Sequence, residues 1–226
     1  MRHAEPVIDP TKTRVFIVDD HPLVRESLAN LIAQQTDMSV CGEAEHSSTA
    51  LAAIGALQPD VAVVDLSLGD GSGLDLIRDL RKLHPHVAVL VLSMHDESWY
   101  AERALRAGAR GYVMKRAASR DVLDAIRRVR EGRMALTPDL AETLAAKLVT
   151  GPLQMADPVA TLSDRELDVF RLLGQGRQTR QIADALHLSM KTVQAYCARI
   201  KDKLGLNSAN ELLREAVRWL ADQNGP

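Results

Sequence analysis

Arg14-Val15-Phe16-Ile17-Val18-Asp19-Asp20-His21-Pro22 is the stretch on which the reading of this chain turns. Residues 15–18 are apolar and mostly β-branched, the composition of a buried strand. Two adjacent carboxylates end the run. Pro22 then suits the first turn of a helix, where its missing N–H would have had no intrahelical partner. Asp20, just ahead of His21-Pro22, serves equally well as a helix N-cap or as a ligand for a cation.

The same succession recurs downstream. Strands are predicted at Arg14–Val18, Met38–Glu43, Val61–Val64, Val87–Leu92 and Gly111–Met114, with helices near 22–34, 47–57, 73–83, 97–107 and 119–131. Strict strand–helix alternation implies a parallel sheet covered on both faces. Val61–Val64 and Val87–Leu92 are apolar throughout, as a strand buried on both sides requires. Pro59 and Pro85 precede strands and Gly108 follows a helix. The fold class is therefore α/β, a doubly wound five-stranded parallel sheet over residues 13–131.

Pro138, Gly151, Pro152 and Pro158 break up residues 132–160, read as a linker with a connecting helix near 139–149. From 161 onward the strand pattern is gone. Ser163-Asp164-Arg165-Glu166 is a capping box opening a helix that ends at Gly174. A short helix spans about Thr179–Leu186, Ser189 caps a third reaching Leu204, and Ser208-Ala209-Asn210-Glu211 opens a fourth. Two short helices joined by a tight turn inside a small all-α unit, residues 161–226, form a helix-turn-helix pattern.

The bulk numbers set bounds. Hydrophobic residues make up 46% of the 226, enough for ordinary cores and too many for a disordered chain. Aromatics at 3% argue against a base-stacking RNA surface. The net charge is −2, but residues 1–160 carry −4 and residues 161–226 carry +2, a split that fits two roles. Cys41 and Cys197 stand far apart without metal-ligand spacing and read as reduced thiols. No apolar run approaches the length of a membrane span, and Met1–Thr13 holds no hydrophobic signal segment. The chain is read as soluble and cytoplasmic, with no membrane partner.

In an open parallel sheet, ligands bind at the edge formed by the strands' carboxyl ends. Asp19 and Asp20 follow the first strand, Asp65 the third, Ser93 the fourth and Lys115 the fifth. Taken singly, Asp65 is a solvated loop acid and Lys115 a surface lysine. Together they form a set. Three close carboxylates repel unless a cation joins them, and a hard divalent ion, Mg2+ before Ca2+, suits oxygen ligands. Asp65 then has the chemistry of a nucleophile toward a phosphoryl group, with the cation and Lys115 stabilising charge on the transferring oxygens. A dinucleotide-dependent enzyme lacks its G-x-G-x-x-G stretch here. A phosphatase using an aspartyl intermediate would want a second acid two residues after Asp65, where Ser67 stands.

Val18-Asp19-Asp20-His21-Pro22, Val63-Val64-Asp65-Leu66, Val91-Leu92-Ser93-Met94 and Gly111-Tyr112-Val113-Met114-Lys115 resemble the signature of two-component response-regulator receivers over about residues 13–131. The tail from Leu162 resembles the LuxR-type helix-turn-helix, and the pair resembles the NarL/FixJ subfamily. The resemblance implies a flavodoxin-like strand order 2-1-3-4-5, with Asp65 as phosphoacceptor. It implies Mg2+ held by Asp65, by Asp20 directly, by Asp19 through water and by the Ser67 carbonyl. Ser93 and Tyr112 would be the switch pair, Ser93 drawn to the phosphoryl group and Tyr112 turning inward, with Lys115 contacting the phosphoryl group. A sensor histidine kinase would be the donor, double-stranded DNA the target and a homodimer the phosphorylated form. The role is regulatory rather than enzymatic. Gly69 stands where the family often has proline, which loosens the loop without removing a ligand. The rival within the same fold is a DNA-binding regulator controlled by protein contacts or a ligand, without phosphorylation.

Within the third helix of the tail, Met190, Val193, Cys197, Ile200 and Leu204 recur at three- and four-residue spacing and define an apolar face. Lys191, Gln194, Ala195 and Ala198 lie opposite, flanked by Thr192, Arg199, Lys201 and Lys203. These eight are the candidate DNA contacts: Gln and Ala suit base edges, and the cations suit phosphates. The bland alternative is a merely solvated polar face. A +3 balance over residues 189–204 and the preceding short helix favour DNA. Met190-Lys191-Thr192-Val193 resembles the family motif at the start of this helix. Tyr196 replaces a common histidine, and Gln194 and Ala198 fall where some relatives use lysine, so the operator cannot be borrowed from them.

Overall fold

The computed structural model describes residues 11–68, 71–150, 158–186 and 188–223. The expectations for the extreme N-terminus, for Gly69 and for the 151–157 stretch fall largely or wholly outside these. The chain divides into two compact units, residues 1–151 and 152–226.

In the first unit the strands are β1 (Thr13–Val18), β2 (Met38–Ala44), β3 (Val61–Val64), β4 (Ala88–Ser93) and β5 (Gly111–Met114). They pair in parallel in the order β2-β1-β3-β4-β5, as expected. The helices are α1 (Pro22–Ala33), α2 (Ser47–Leu57), α3 (Gly73–Leu83), α4 (Glu97–Ala107) and α5 (Ser119–Arg130). Alternation along the strands sorts the core. Val15, Ile17, Val61, Val63, Leu90 and Leu92 pack with Leu28 and Ile32 of α1 and with Val122, Ile126 and Val129 of α5. Phe16 points the other way, beside Leu57 of α2. The central strands are buried on both faces, which explains their unbroken apolar runs.

Two features escaped the sequence reading. Ser67–Leu68 and Gly71–Ser72 form a short antiparallel ribbon immediately after β3. Residues 132–136 are also part of the first unit. Ala135 bridges to Gly111, accepting from the Tyr112 N–H at 2.9 Å and donating to the Arg110 carbonyl at 3.0 Å. The following helix α6 (Pro138–Thr150) packs on α4. Pro138 opens this helix, so the proline taken as a break acts as a start. The expected linker therefore begins as the covering of an otherwise bare sheet edge.

The second unit holds a 3-10 turn (Pro158–Thr161) and helices α7 (Asp164–Gly174), α8 (Thr179–Ala185), α9 (Met190–Leu204) and α10 (Ala209–Gln223). The Ser163 capping box is present with both bonds. Phe170, Leu167, Ile182, Val193, Ile200 and Ala216 are buried, and Phe170 meets the Trp219 ring at 5.6 Å. Glu166 is buried, and Lys203 reaches it from α9 at 2.7 Å, also donating to the Thr161 carbonyl at 3.4 Å. Burial alone would raise the Glu166 pKa. The Lys203 ammonium and the Ser163 N–H outweigh it and hold the carboxyl below its usual range.

A Cβ at Gly111 would lie 2.8 Å from the Ala135 Cβ, the Ala135 carbonyl oxygen and a Leu90 methyl. Gly111→Ala should therefore destabilise the first unit by about 1–3 kcal/mol, read as a lower denaturant midpoint; an unchanged midpoint would show that the Ala135 bridge yields freely. For Glu166, a depressed folded pKa means the stabilisation is complete above its ordinary value of 4.5 and is lost as pH falls through the depressed value. In Lys203→Met that loss should begin at higher pH. Melting the helical signal across the acid range checks this, and coincident profiles would refute it.

Candidate functional site

Each acidic-pocket residue sits where its strand ends. The Asp65 N–H donates to the Val18 carbonyl at 2.8 Å, extending the β1–β3 ladder by one residue, and the Lys115 N–H donates to the Ser93 carbonyl at 2.8 Å. The sheet thus carries Asp19, Asp65, Ser93 and Lys115 to one edge. The Lys115 ammonium lies 2.6 Å from Asp19 Oδ2 and 2.8 Å from Asp65 Oδ2. Asp19, Asp65 and Ser93 are buried. α3 starts hard against this site: a Cβ at Gly73 would fall 2.1 Å from the Asp65 carbonyl oxygen. Only glycine permits that approach, a requirement invisible in the sequence.

Burial pushes the Asp65 carboxyl up, and Lys115 opposes this without cancelling it. The Lys115 ammonium is pushed down by burial but held above its ordinary value by the two carboxylates. Asp65 Oδ1 is buried with no hydrogen-bond partner among the described residues. Ligand atoms of Asp19, Asp20, His21 and Asp65 all lie within 4.8 Å of one another. Three carboxylates, one with an unsatisfied buried oxygen, fit a hard divalent cation. His21 was not singled out by the sequence reading. Its Nδ1 is 2.6 Å from Asp20 Oδ1, and its N–H donates to Asp19 Oδ1 at 2.9 Å. His21, not Asp20, occupies the N-cap position of α1, so Asp20 is left to the pocket.

Tyr112 is buried, and its hydroxyl donates to the His95 carbonyl at 2.9 Å. Burial raises the phenol far above its usual range, so it remains a donor. The ring lies inward in this structure. His95 was also missed: its Nε2 lies 2.6 Å from the Ser67 hydroxyl, and its N–H donates to Ser93 Oγ at 3.3 Å.

On α9, Val193 and Ile200 are buried and Cys197 is half-buried, with burial pushing its thiol up. Met190, the first residue of the helix, departs from the expected apolar face: it is 55% exposed. Lys191, Gln194, Ala195, Ala198 and Arg199 are exposed. Arg199 stacks over Tyr196 at 5.8 Å. Thr192 and Lys201 are half-buried at the flanks, the Thr192 hydroxyl 2.7 Å from that of Ser189. Lys203 was grouped with these, but its ammonium is engaged by Glu166. Helical geometry turns it toward α7, about 120° from Lys191.

Residues 15–127 match the response regulator receiver domain family, and residues 160–216 match the bacterial regulatory proteins of the luxR family. The chain is 38% identical over 193 residues to the DNA-binding transcriptional activator DevR/DosR of Mycobacterium tuberculosis, covering 85% of this chain and 88% of that one. It is 34% identical to the response regulator GacA of Pseudomonas aeruginosa, covering 91% and 95%. Among solved structures it is similar to RcsB from Salmonella enterica serovar Typhimurium bound to promoter rprA in the presence of phosphomimetic BeF3-. There the TM-score is 0.56 at 26% identity, covering 91% of this chain and 98% of that one. No described helix is long and apolar enough to cross a membrane. An acidic pocket at the sheet edge, an exposed helix in a helix-turn-helix and these likenesses agree: this chain belongs to the two-component response regulators of the NarL/FixJ type, transcriptional regulators rather than enzymes, that join a receiver domain to a LuxR-type DNA-binding domain.

Proposed function

We propose that Asp65 accepts a phosphoryl group from a sensor histidine kinase with Mg2+, and that this shifts the receiver, residues 13–131, toward a dimerising or released state in which residues 161–226 bind an operator. The observation that carries the reading is the state of Asp65: Oδ2 is held by Lys115 while buried Oδ1 has no partner among the described residues. Oδ1 attacks phosphorus, and the P–N bond of the phosphohistidine breaks as the P–O bond forms. Asp20, Asp65 and the Ser67 carbonyl would hold Mg2+, with Asp19 reaching it through water, and the ion would supply positive charge against the carboxylate repulsion and the transferring oxygens. Lys115 moves from Asp65 Oδ2 to a phosphoryl oxygen, and the Ser93 hydroxyl donates to another.

On α9, Lys191, Gln194, Ala195 and Ala198 face base edges in the major groove, and Thr192, Arg199 and Lys201 hold phosphates. The promoter-bound state of the RcsB structure supports double-stranded DNA as the target. One small unit of modest charge binds weakly alone, so pairing two copies on adjacent half-sites raises affinity through effective concentration. The cytoplasm, where kinase and DNA meet, is the expected compartment.

Asp65→Asn should abolish acid-labile labelling by small phosphodonors, as should chelation of Mg2+. Without divalent ions the variant should also melt at higher temperature than the parent, because a buried like-charge group is gone. Undiminished labelling would remove Asp65 from this role. Gln194→Ala should relax base preference at one position per half-site by roughly 1–3 kcal/mol. Lys201→Ala should weaken all sequences alike and reduce the salt slope by about one. Binding selections on both variants test the register; an unchanged preferred site for Gln194→Ala would show that it is wrong.

A further inference from the structure

Tyr112 lies inward with its hydroxyl on the His95 carbonyl, which ties the ring to the segment between β4 and α4. His95 makes further contacts. Its N–H reaches the Ser93 hydroxyl and its Nε2 the Ser67 hydroxyl. Its ring lies against Tyr100 of α4, centroids 4.4 Å apart. One side chain therefore touches both the ribbon that follows Asp65 and a buried ring of α4.

The other end of this contact chain is at the start of α4. Glu97, its first residue, accepts a hydrogen bond from the Thr137 hydroxyl at 2.8 Å. Thr137 in turn opens α6. Its hydroxyl accepts from the Leu140 N–H at 3.3 Å, and its carbonyl accepts from the Ala141 N–H at 3.0 Å. These are N-cap bonds, which satisfy donors that the helix itself leaves open. α6 is the last helix of the first unit before the chain enters the DNA-binding unit.

We propose that His95 and Thr137 are positioning residues of a relay: a phosphoryl group at Asp65 shifts Ser67, His95 passes the shift to α4, and the Glu97–Thr137 bond passes it to the cap of α6. The relay rests on the phosphorylation of Asp65 proposed above. Its physical basis is the steep distance and angle dependence of hydrogen bonds. A displacement of Ser67 by less than a bond length is enough to exchange its 2.6 Å contact with His95 for another partner. Close packing converts such a change into a discrete rearrangement of the helix stacked on that ring.

Hydrogen–deuterium exchange of the full chain, with and without beryllium fluoride plus Mg2+, tests the relay. In the parent protein the phosphoryl mimic should change exchange near Asp65, along the first turn of α4 and at Leu140 and Ala141. Thr137→Val should keep the first two changes and lose the third, and Thr137→Ser should restore it. His95→Ala should keep only the change near Asp65. The double variant should lose no more than His95→Ala alone, as residues acting in series require. An α6 response in Thr137→Val or His95→Ala as large as in the parent overturns the relay. So does a parent that responds near Asp65 and not at α6. A parent that does not respond near Asp65 at all overturns the phosphorylation reading, and the relay with it.

Discussion

The Lys115 ammonium, 2.6 Å from Asp19 and 2.8 Å from Asp65, is the contact on which the pocket depends. It joins the ends of β1, β3 and β5, which lie far apart in sequence. Buried carboxylates at that edge would otherwise repel one another at low effective dielectric. One cation does not neutralise three acids, and burial, which pushes the Asp65 carboxyl up, adds to the cost of keeping them charged. The pocket is therefore stable enough to form and still short of positive charge. That residual demand for positive charge is what the divalent ion of the proposed function would meet.

The second unit uses charge in the opposite way. Lys203 and Glu166 form an ion pair with Glu166 buried, backed by the Ser163 N–H, and lock α9 to the start of α7. Beside this internal use of a lysine, Lys191, Gln194, Ala195, Ala198 and Arg199 remain exposed on α9. A rigid mount behind a solvated polar row is what groove reading needs, because base contacts discriminate only when their geometry is held.

Much of this was legible in order and much was not. The five strands and their helices were found within one or two residues because the period-two and period-3.6 patterns are local. The ribbon after β3 was missed because two-residue strands carry no periodicity. Residues 132–136 looked like a break because a single bridging residue, Ala135, has no pattern of its own. His21 and His95 were passed over for the same reason: their contacts with Asp20 and Ser67 depend on where loops fold back.

The sequence by itself determined the strand–helix alternation, the helix-turn-helix and the set of acids, hydroxyl and lysine at the strand ends, since residue type and spacing fix local geometry and chemistry. Only the tertiary structure decided which charges are used up and which remain available. Lys203 and Arg199 look alike as letters on one helix, yet one meets a buried carboxylate and the other stacks over a half-buried ring. The two carboxylate oxygens of Asp65 are chemically identical in the sequence, and the fold gives one to Lys115 and leaves the other without a partner among the described residues. Partnership across space, and the water excluded with it, sets the energy of a charged group, and spacing along the chain cannot specify it.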